Sequence, residues 1–232
     1  MIKAVFFDLY QTLVCYDPPR ENIQADALKE FGIDTTPEKM LYPITAADEF
    51  IHQEHSRLAI GKRSDDEKMA LWGQYQAVLI KEAGIEPTKE LIRHILGKMQ
   101  QIKFKPILYD DVLPTLTELK EKSLILGLIS NVDNDITQLC QDLGLMPFLQ
   151  VVVTSLDSGY NKPQPEIFKE AIRQAGIQPQ ESIFVGDQYR IDVVGAKQSG
   201  MLGILLDRGD YFNEAIDEPK IKSLHQLPGH LS

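Results

Sequence analysis

From residue 107 onward the sequence alternates short apolar runs with amphipathic stretches that end at glycine, and this rhythm constrains the fold more than any other feature. Leu124 to Ile129, Gln150 to Thr154, Ser182 to Val185 and Leu202 to Leu206 are runs rich in branched residues, the pattern of buried strands. Between them, Asp135 to Leu143 reads as a helix stopped by Gly144, Pro165 to Ala175 as one stopped by Gly176, and Asp192 to Ser199 as one stopped by Gly200. Proline at a first helical position and glycine just past the end suit helix termini. Pro114 to Lys122 reads as a further helix, and Ile2 to Phe7 as a further buried strand. Such alternation implies an α/β fold, a Rossmann-like core whose parallel sheet carries helices on both faces.

Residues 15 to 104 keep a different rhythm. Glu21 to Phe31 places Ile23, Ala27, Leu28 and Phe31 at helical spacing before Gly32. Ser64 and Glu67 form a Ser-x-x-Glu capping box ahead of Met69, Leu71, Trp72, Tyr75 and Leu79. Another helix starts near Thr88. No strand alternation stands out here, so the stretch reads as an all-helical cap inserted after the first strand. The expected division is a discontinuous core of residues 1–14 and 105–232, with a cap of residues 15–104. The Trp72, Tyr75 and Leu79 stripe reads as cap core, His52 and His55 as exposed surface, and the tail after Asp210 carries little pattern.

Composition narrows the function. A net charge of -10 argues against nucleic acid or an anionic membrane as the main partner, without excluding a local basic pocket. No run approaches the length of a membrane-spanning helix. Cys15 and Cys140 are too few for a disulfide framework, and the chain opens on its first strand, which leaves no room for a signal peptide. The expectation is a cytoplasmic protein, monomer or homodimer, with a small-molecule substrate.

Three apolar runs end in polar residues: Asp8, Ser130-Asn131 and Gly186-Asp187. Open α/β sheets place their ligand crevice at the carboxyl ends of strands. Alone, each residue has an ordinary structural reading: an Asp or Ser after a strand makes a turn or caps a helix, and Lys162 alone is a solvated lysine.

Taken together and in order, they carry more. D-L-Y-Q-T at Asp8 to Thr12, the strand ending in Ser130-Asn131, Lys162 in N-K-P-Q-P-E-I-F and V-G-D-Q-Y-R-I-D at Val185 to Asp192 resemble the four motifs of the haloacid dehalogenase-like hydrolase superfamily. The resemblance spans residues 1–14 and 107–206 and implies the capped Rossmann-like fold. It implies Asp8 as a nucleophile that forms a covalent ester. It implies Lys162 as the neutralising cation, with Thr12, Ser130 and Asn131 binding phosphate. It also implies Mg2+ held by Asp8, the Tyr10 carbonyl, Asp187 and Asp192; hard oxygen donors suit magnesium better than zinc.

Two departures qualify the resemblance. Phosphatases of the family carry D-x-D first, whose second Asp is the general acid–base; here that position is Tyr10, as in the D-x-Y-G-T of the 2-haloacid dehalogenases. Gln11 stands where the family has Gly. Asp187 and Asp192 point back to the phosphatases, since the dehalogenases work without metal, and neither Arg20 nor Arg57 falls in a recognisable halide-binding motif. The leading expectation is therefore a magnesium-dependent phosphatase of a small metabolite. A metal-independent 2-haloacid dehalogenase-like hydrolase is the second reading, and a degenerate member that binds phosphorylated ligands without turnover is the third. Tyr10 is expected to act as a proton donor in catalysis or to leave turnover slow.

Overall fold

The computed structural model describes residues 1–212 and 215–231 and divides into two compact units, Met1–Cys15 with Ile107–Ser232, and Tyr16–Pro106. In chain order the first unit opens with β1 (Ala4–Phe7). β2 (Val14–Asp17) follows and pairs with β3 (Lys105–Leu108) in a separate two-stranded sheet. Neither strand stands out in the sequence, because four-residue segments are too short to display an alternation.

The second unit holds α1 (Arg20–Glu30), α2 (Pro37–Arg57), α3 (Asp65–Glu82) and α4 (Lys89–Gln100). The capping box forms: Ser64 N–H donates to Glu67 Oε2 at 2.7 Å, and Glu67 N–H donates to Ser64 Oγ at 3.3 Å. Leu28, Met40, Leu79, Ile80, Leu91 and Ile95 make the core of this bundle. Trp72 departs from expectation: it is 39% exposed and meets the buried Tyr75 ring edge-on. His55 is buried rather than exposed, on the inward face of α2.

A buried polar triad also holds this bundle. Arg20 donates from both terminal nitrogens to Asp48 at 2.9 and 2.6 Å, and the Tyr75 hydroxyl donates to the same carboxylate at 2.9 Å. Asp48→Ala leaves a guanidinium and a phenol desolvated without their acceptor. The expected cost is about 3–5 kcal/mol, far above the ~1 kcal/mol ceiling of an exposed pair. Urea unfolding followed by Trp72 fluorescence measures it; a loss within the exposed-pair range would show that water replaces the carboxylate.

After β3 the first unit continues with α5 (Val112–Glu121), β4 (Ile125–Ser130), α6 (Thr137–Asp142), β5 (Val151–Thr154), α7 (Ser155–Ser158) and α8 (Pro165–Ala175). It closes with β6 (Ser182–Gly186), α9 (Val194–Gln198), β7 (Leu202–Leu206) and β8 (Lys220–Ile221). The six strands lie in the order β5-β4-β1-β6-β7-β8, all parallel. Alternate residues of β1 feed opposite faces. Val5 and Phe7 join the core under α5 and α6; Ala4 and Phe6 join the core under α8 and α9. Burial on both faces explains why these strands read as unbroken apolar runs. Gly127 in β4 is a packing necessity: a Cβ there would lie 2.5 Å from the Phe6 ring.

The tail after Asp210 contributes more than its pattern suggests. Ile221 on β8, with Leu224 and Leu227 in the 3-10 turn Leu224–His230, closes one face of the core. The last helix also starts differently. A π-helical turn over Tyr189–Val193 precedes α9, so Asp192 lies within that turn rather than at the start of a regular helix. Among the described residues no helix is long and apolar enough to cross a membrane.

Candidate functional site

The sheet order sets the site. β1 lies between β4 and β6, and the chain reverses its direction of winding beside it, which creates a crevice at the strand ends. Phe7 is in register with Leu128 on one side and Val185 on the other. Asp8 follows at the end of β1, its N–H donating to the Val185 carbonyl at 2.9 Å. Ser130 is the last residue of β4, buried and in register with Thr154. Asp187 follows the end of β6.

Lys162 arrives from the loop before α8. Its side chain is 3% exposed, and Nζ donates to Asp8 Oδ1 at 2.5 Å and to Asp192 Oδ1 at 2.7 Å. Burial works against the ammonium, but the charges of Asp192 and Asp8 outweigh it and hold the group protonated well above the usual lysine range. Asn131 fixes this loop. Its Oδ1 accepts the Lys162 N–H at 2.7 Å and its Nδ2 donates to the Lys162 carbonyl at 3.0 Å. The Asn131 amide is thus bound at both ends to the backbone of the lysine, and it positions Lys162.

Asp8 is raised to about 6, first by burial and then by the charge of Asp192, against the opposing pull of Lys162. Asp192 accepts the Gln188 N–H on Oδ2 at 3.0 Å, so both its oxygens are engaged. Gly186 permits this approach: a Cβ there would fall 2.2 Å from Asp192 Oδ2. Asp187 accepts from Thr12 Oγ1 at 3.3 Å and from Gln188 Nε2 at 3.1 Å. Neither Gln188 nor Gly186 is marked as a site residue by the sequence reading; their closeness to the motif carboxylates is the one signal for them.

Asp8, Asp187 and Asp192 each bring a carboxylate oxygen to within 4.8 Å of the others. Three carboxylates facing one ammonium leave an excess of negative charge, and the donors are all hard oxygens. That set fits a divalent magnesium ion and does not suit a metal that prefers nitrogen or sulfur.

Tyr10 is half-buried and packs against the core beneath the site. Burial, then the charge of Asp8, raises its hydroxyl above the ordinary tyrosine value, so it keeps its proton at neutral pH. Gln11 adopts a φ of 64°, the left-handed region that favours the glycine expected there. The side chains considered in the other unit have partners there. Arg20 is committed to Asp48, and Arg57 pairs with Glu54 on the exposed side of α2. His52 is half-buried on the same helix.

Residues 2–200 match the model of a haloacid dehalogenase-like hydrolase. The glyceraldehyde 3-phosphate phosphatase of Methanopyrus kandleri is 30% identical over 218 residues, which cover 91% of this chain and 86% of that one. The solved 2-haloacid dehalogenase of Pseudomonas syringae pv. Tomato is 27% identical with a TM-score of 0.56, covering 100% of this chain and 98% of its own. YfnB of Bacillus subtilis, solved bound to magnesium, is similar in fold at a TM-score of 0.61 and 21% identity, covering 99% and 98%.

Proposed function

The chain belongs to the haloacid dehalogenase-like hydrolase family, and we propose that it hydrolyses a phosphate monoester of a small metabolite through an aspartyl-phosphate on Asp8. The observation that carries this reading is the cluster in which Lys162 bridges Asp8 and Asp192, with Asp187 beside them. The relatives of about 30% identity that bear the name glyceraldehyde 3-phosphate phosphatase support a small phosphorylated substrate.

In this mechanism the Asp8 carboxylate attacks phosphorus and the ester oxygen departs. Water then cleaves the aspartyl-phosphate and regenerates Asp8. The difficulty is repulsion between an anionic nucleophile and an anionic substrate, so catalysis rests on positioning and charge neutralisation. Lys162 neutralises Asp8 and orients the free oxygen toward the incoming phosphorus. The Ser130 hydroxyl and backbone N–H groups near Thr12 donate to the non-bridging oxygens. Mg2+ held by Asp8, the Tyr10 carbonyl and Asp187, with Asp192 direct or through water, would supply Lewis-acid neutralisation of the phosphoryl oxygens. Tyr10 keeps its proton, so it serves as a weak donor to the departing oxygen and not as the base that activates water.

Phosphate release from p-nitrophenyl phosphate tests the reading. Release with magnesium that stops on chelation, and returns when magnesium is restored, is the expected outcome. Tyr10 and the 2-haloacid dehalogenase likeness keep a second reading in play, halide displacement by Asp8 without metal. Turnover of a 2-haloacid in chelator, with no phosphate release under any condition, would establish it instead.

A further inference from the structure

We propose that Arg208, clamped by Asp111 and stacked on Tyr109, is a positioning residue that fixes the loop from Asp8 to Thr12 in its reactive shape; the inference rests on the phosphatase reading above. This loop is tight and irregular. Leu13 and Val14 N–H groups both donate to the Leu9 carbonyl, at 2.9 and 2.8 Å, and Gln11 N–H donates to the Val14 carbonyl at 2.7 Å. Gln11 sits at positive φ, a conformation that costs a residue with a Cβ and persists only where its surroundings hold it. Two side chains from outside the loop do so. The Tyr109 hydroxyl donates to Gln11 Oε1 at 3.2 Å, and Arg208 Nη2 donates to the Thr12 carbonyl at 2.8 Å.

The guanidinium is itself held rigidly. Its two terminal nitrogens donate to Asp111 at 2.8 and 2.9 Å, and its central carbon lies 3.9 Å from the centre of the Tyr109 ring. A planar fork with one face on an aromatic ring loses its geometry if replaced by lysine. The bond to Thr12 bears on chemistry through the same residue's hydroxyl, which reaches Asp187. A shift of the Thr12 carbonyl therefore moves a phosphate-facing loop and a metal-site partner together. Asp111 keeps two donors on Oδ2 without Arg208, since Ser223 Oγ and Leu224 N–H donate to that oxygen at 2.7 and 2.9 Å, while Oδ1 gives up the Arg208 bond. One of the two acceptor oxygens thus stays paired when the arginine is removed.

Arg208→Ala with p-nitrophenyl phosphate and magnesium is the test. A loop misplaced by about 1 Å costs on the order of 10²-fold, so kcat falls by about that factor with KM little changed. Guanidinium ion at a non-denaturing concentration restores part of kcat, and urea at the same concentration does not. Arg208→Lys behaves like Arg208→Ala. A folded Arg208→Ala with wild-type kcat overturns the proposal, as does a loss that guanidinium fails to rescue and that follows a lowered melting temperature. Should Arg208→Ala not fold, Tyr109→Phe keeps the ring under the guanidinium and removes the bond to Gln11. A kcat loss at unchanged KM supports the clamp, and full activity sinks it. Wild-type protein that releases no phosphate overturns the proposed function instead. Deuterium uptake over residues 9–14 then decides this inference: faster in Arg208→Ala if the clamp holds the loop, unchanged if it does not.

Discussion

Asp8→Asn is expected to lower phosphatase turnover by at least about 10⁴-fold, because it removes the nucleophile and replaces it with a group of the same shape. The comparison is clean because the structural consequences are small. Lys162 keeps its bond to Asp192, and the substituted amide fills the volume of the carboxylate. Protonation linkage even favours the variant in the metal-free state. Asp8 is raised from 3.8 to about 6, so its ionisation is opposed by the fold, and stability drains away as pH rises through that value. An amide carries no such charge. In chelator at a pH of about 7 to 8, above the raised value, the melting temperature of Asp8→Asn should therefore equal or exceed that of wild type. Retained turnover in a homogeneous preparation would eliminate Asp8 as nucleophile, and a collapsed melting temperature would show that the carboxylate is structural.

Which parts of this arrangement can be read in advance follows from how each residue is held. Asp8, Ser130 and Asp187 sit at the ends of strands that are buried on both faces, and such strands announce themselves as apolar runs with a polar stop. Lys162 and Asp192 have no strand to mark them; only the resemblance of their surrounding motifs brings them forward. Asn131 is visible as a motif residue, but its bond partners are the backbone atoms of a residue far along the chain, which no local pattern encodes. The same reason hides Arg208 and Asp111, whose contacts join the loop after β1, the start of α5 and the segment after β8. His55 shows the converse failure. Its neighbours in sequence are polar, yet helical geometry turns it inward on α2. The tail lacks a periodic signature because a two-residue strand and a 3-10 turn have none to give.

Tyr10→Asp is expected to raise the turnover of alkyl phosphates by about 10² to 10⁴-fold, the usual worth of a placed general acid–base, while aryl phosphates gain much less. The asymmetry comes from the leaving group. An alkoxide is a strong base and needs a proton as it departs; a phenolate with an electron-withdrawing ring leaves without one. In the wild-type protein the Tyr10 hydroxyl is raised by burial and by the Asp8 charge, which makes it a weaker acid than free tyrosine and a poor partner for a departing alkoxide. It also cannot take a proton from the water that must hydrolyse the aspartyl-phosphate. A carboxylate at position 10 meets both needs. Its proximity to Asp8 raises its own pKa, which keeps the proton available for the first step, and once the proton is given it becomes a base for the second. The substitution also removes an aromatic ring that packs against the core. A loss of about 1–3 kcal/mol is expected from that, so rates belong well below the lowered melting temperature. The measurement is the ratio of aryl to alkyl turnover, which cancels differences in active fraction. A ratio that is high in wild type and falls in Tyr10→Asp identifies leaving-group protonation as the limiting step. Similar rates for both classes, unchanged by the substitution, would place the proton donor on another residue and leave Tyr10 with its backbone carbonyl as its sole contribution.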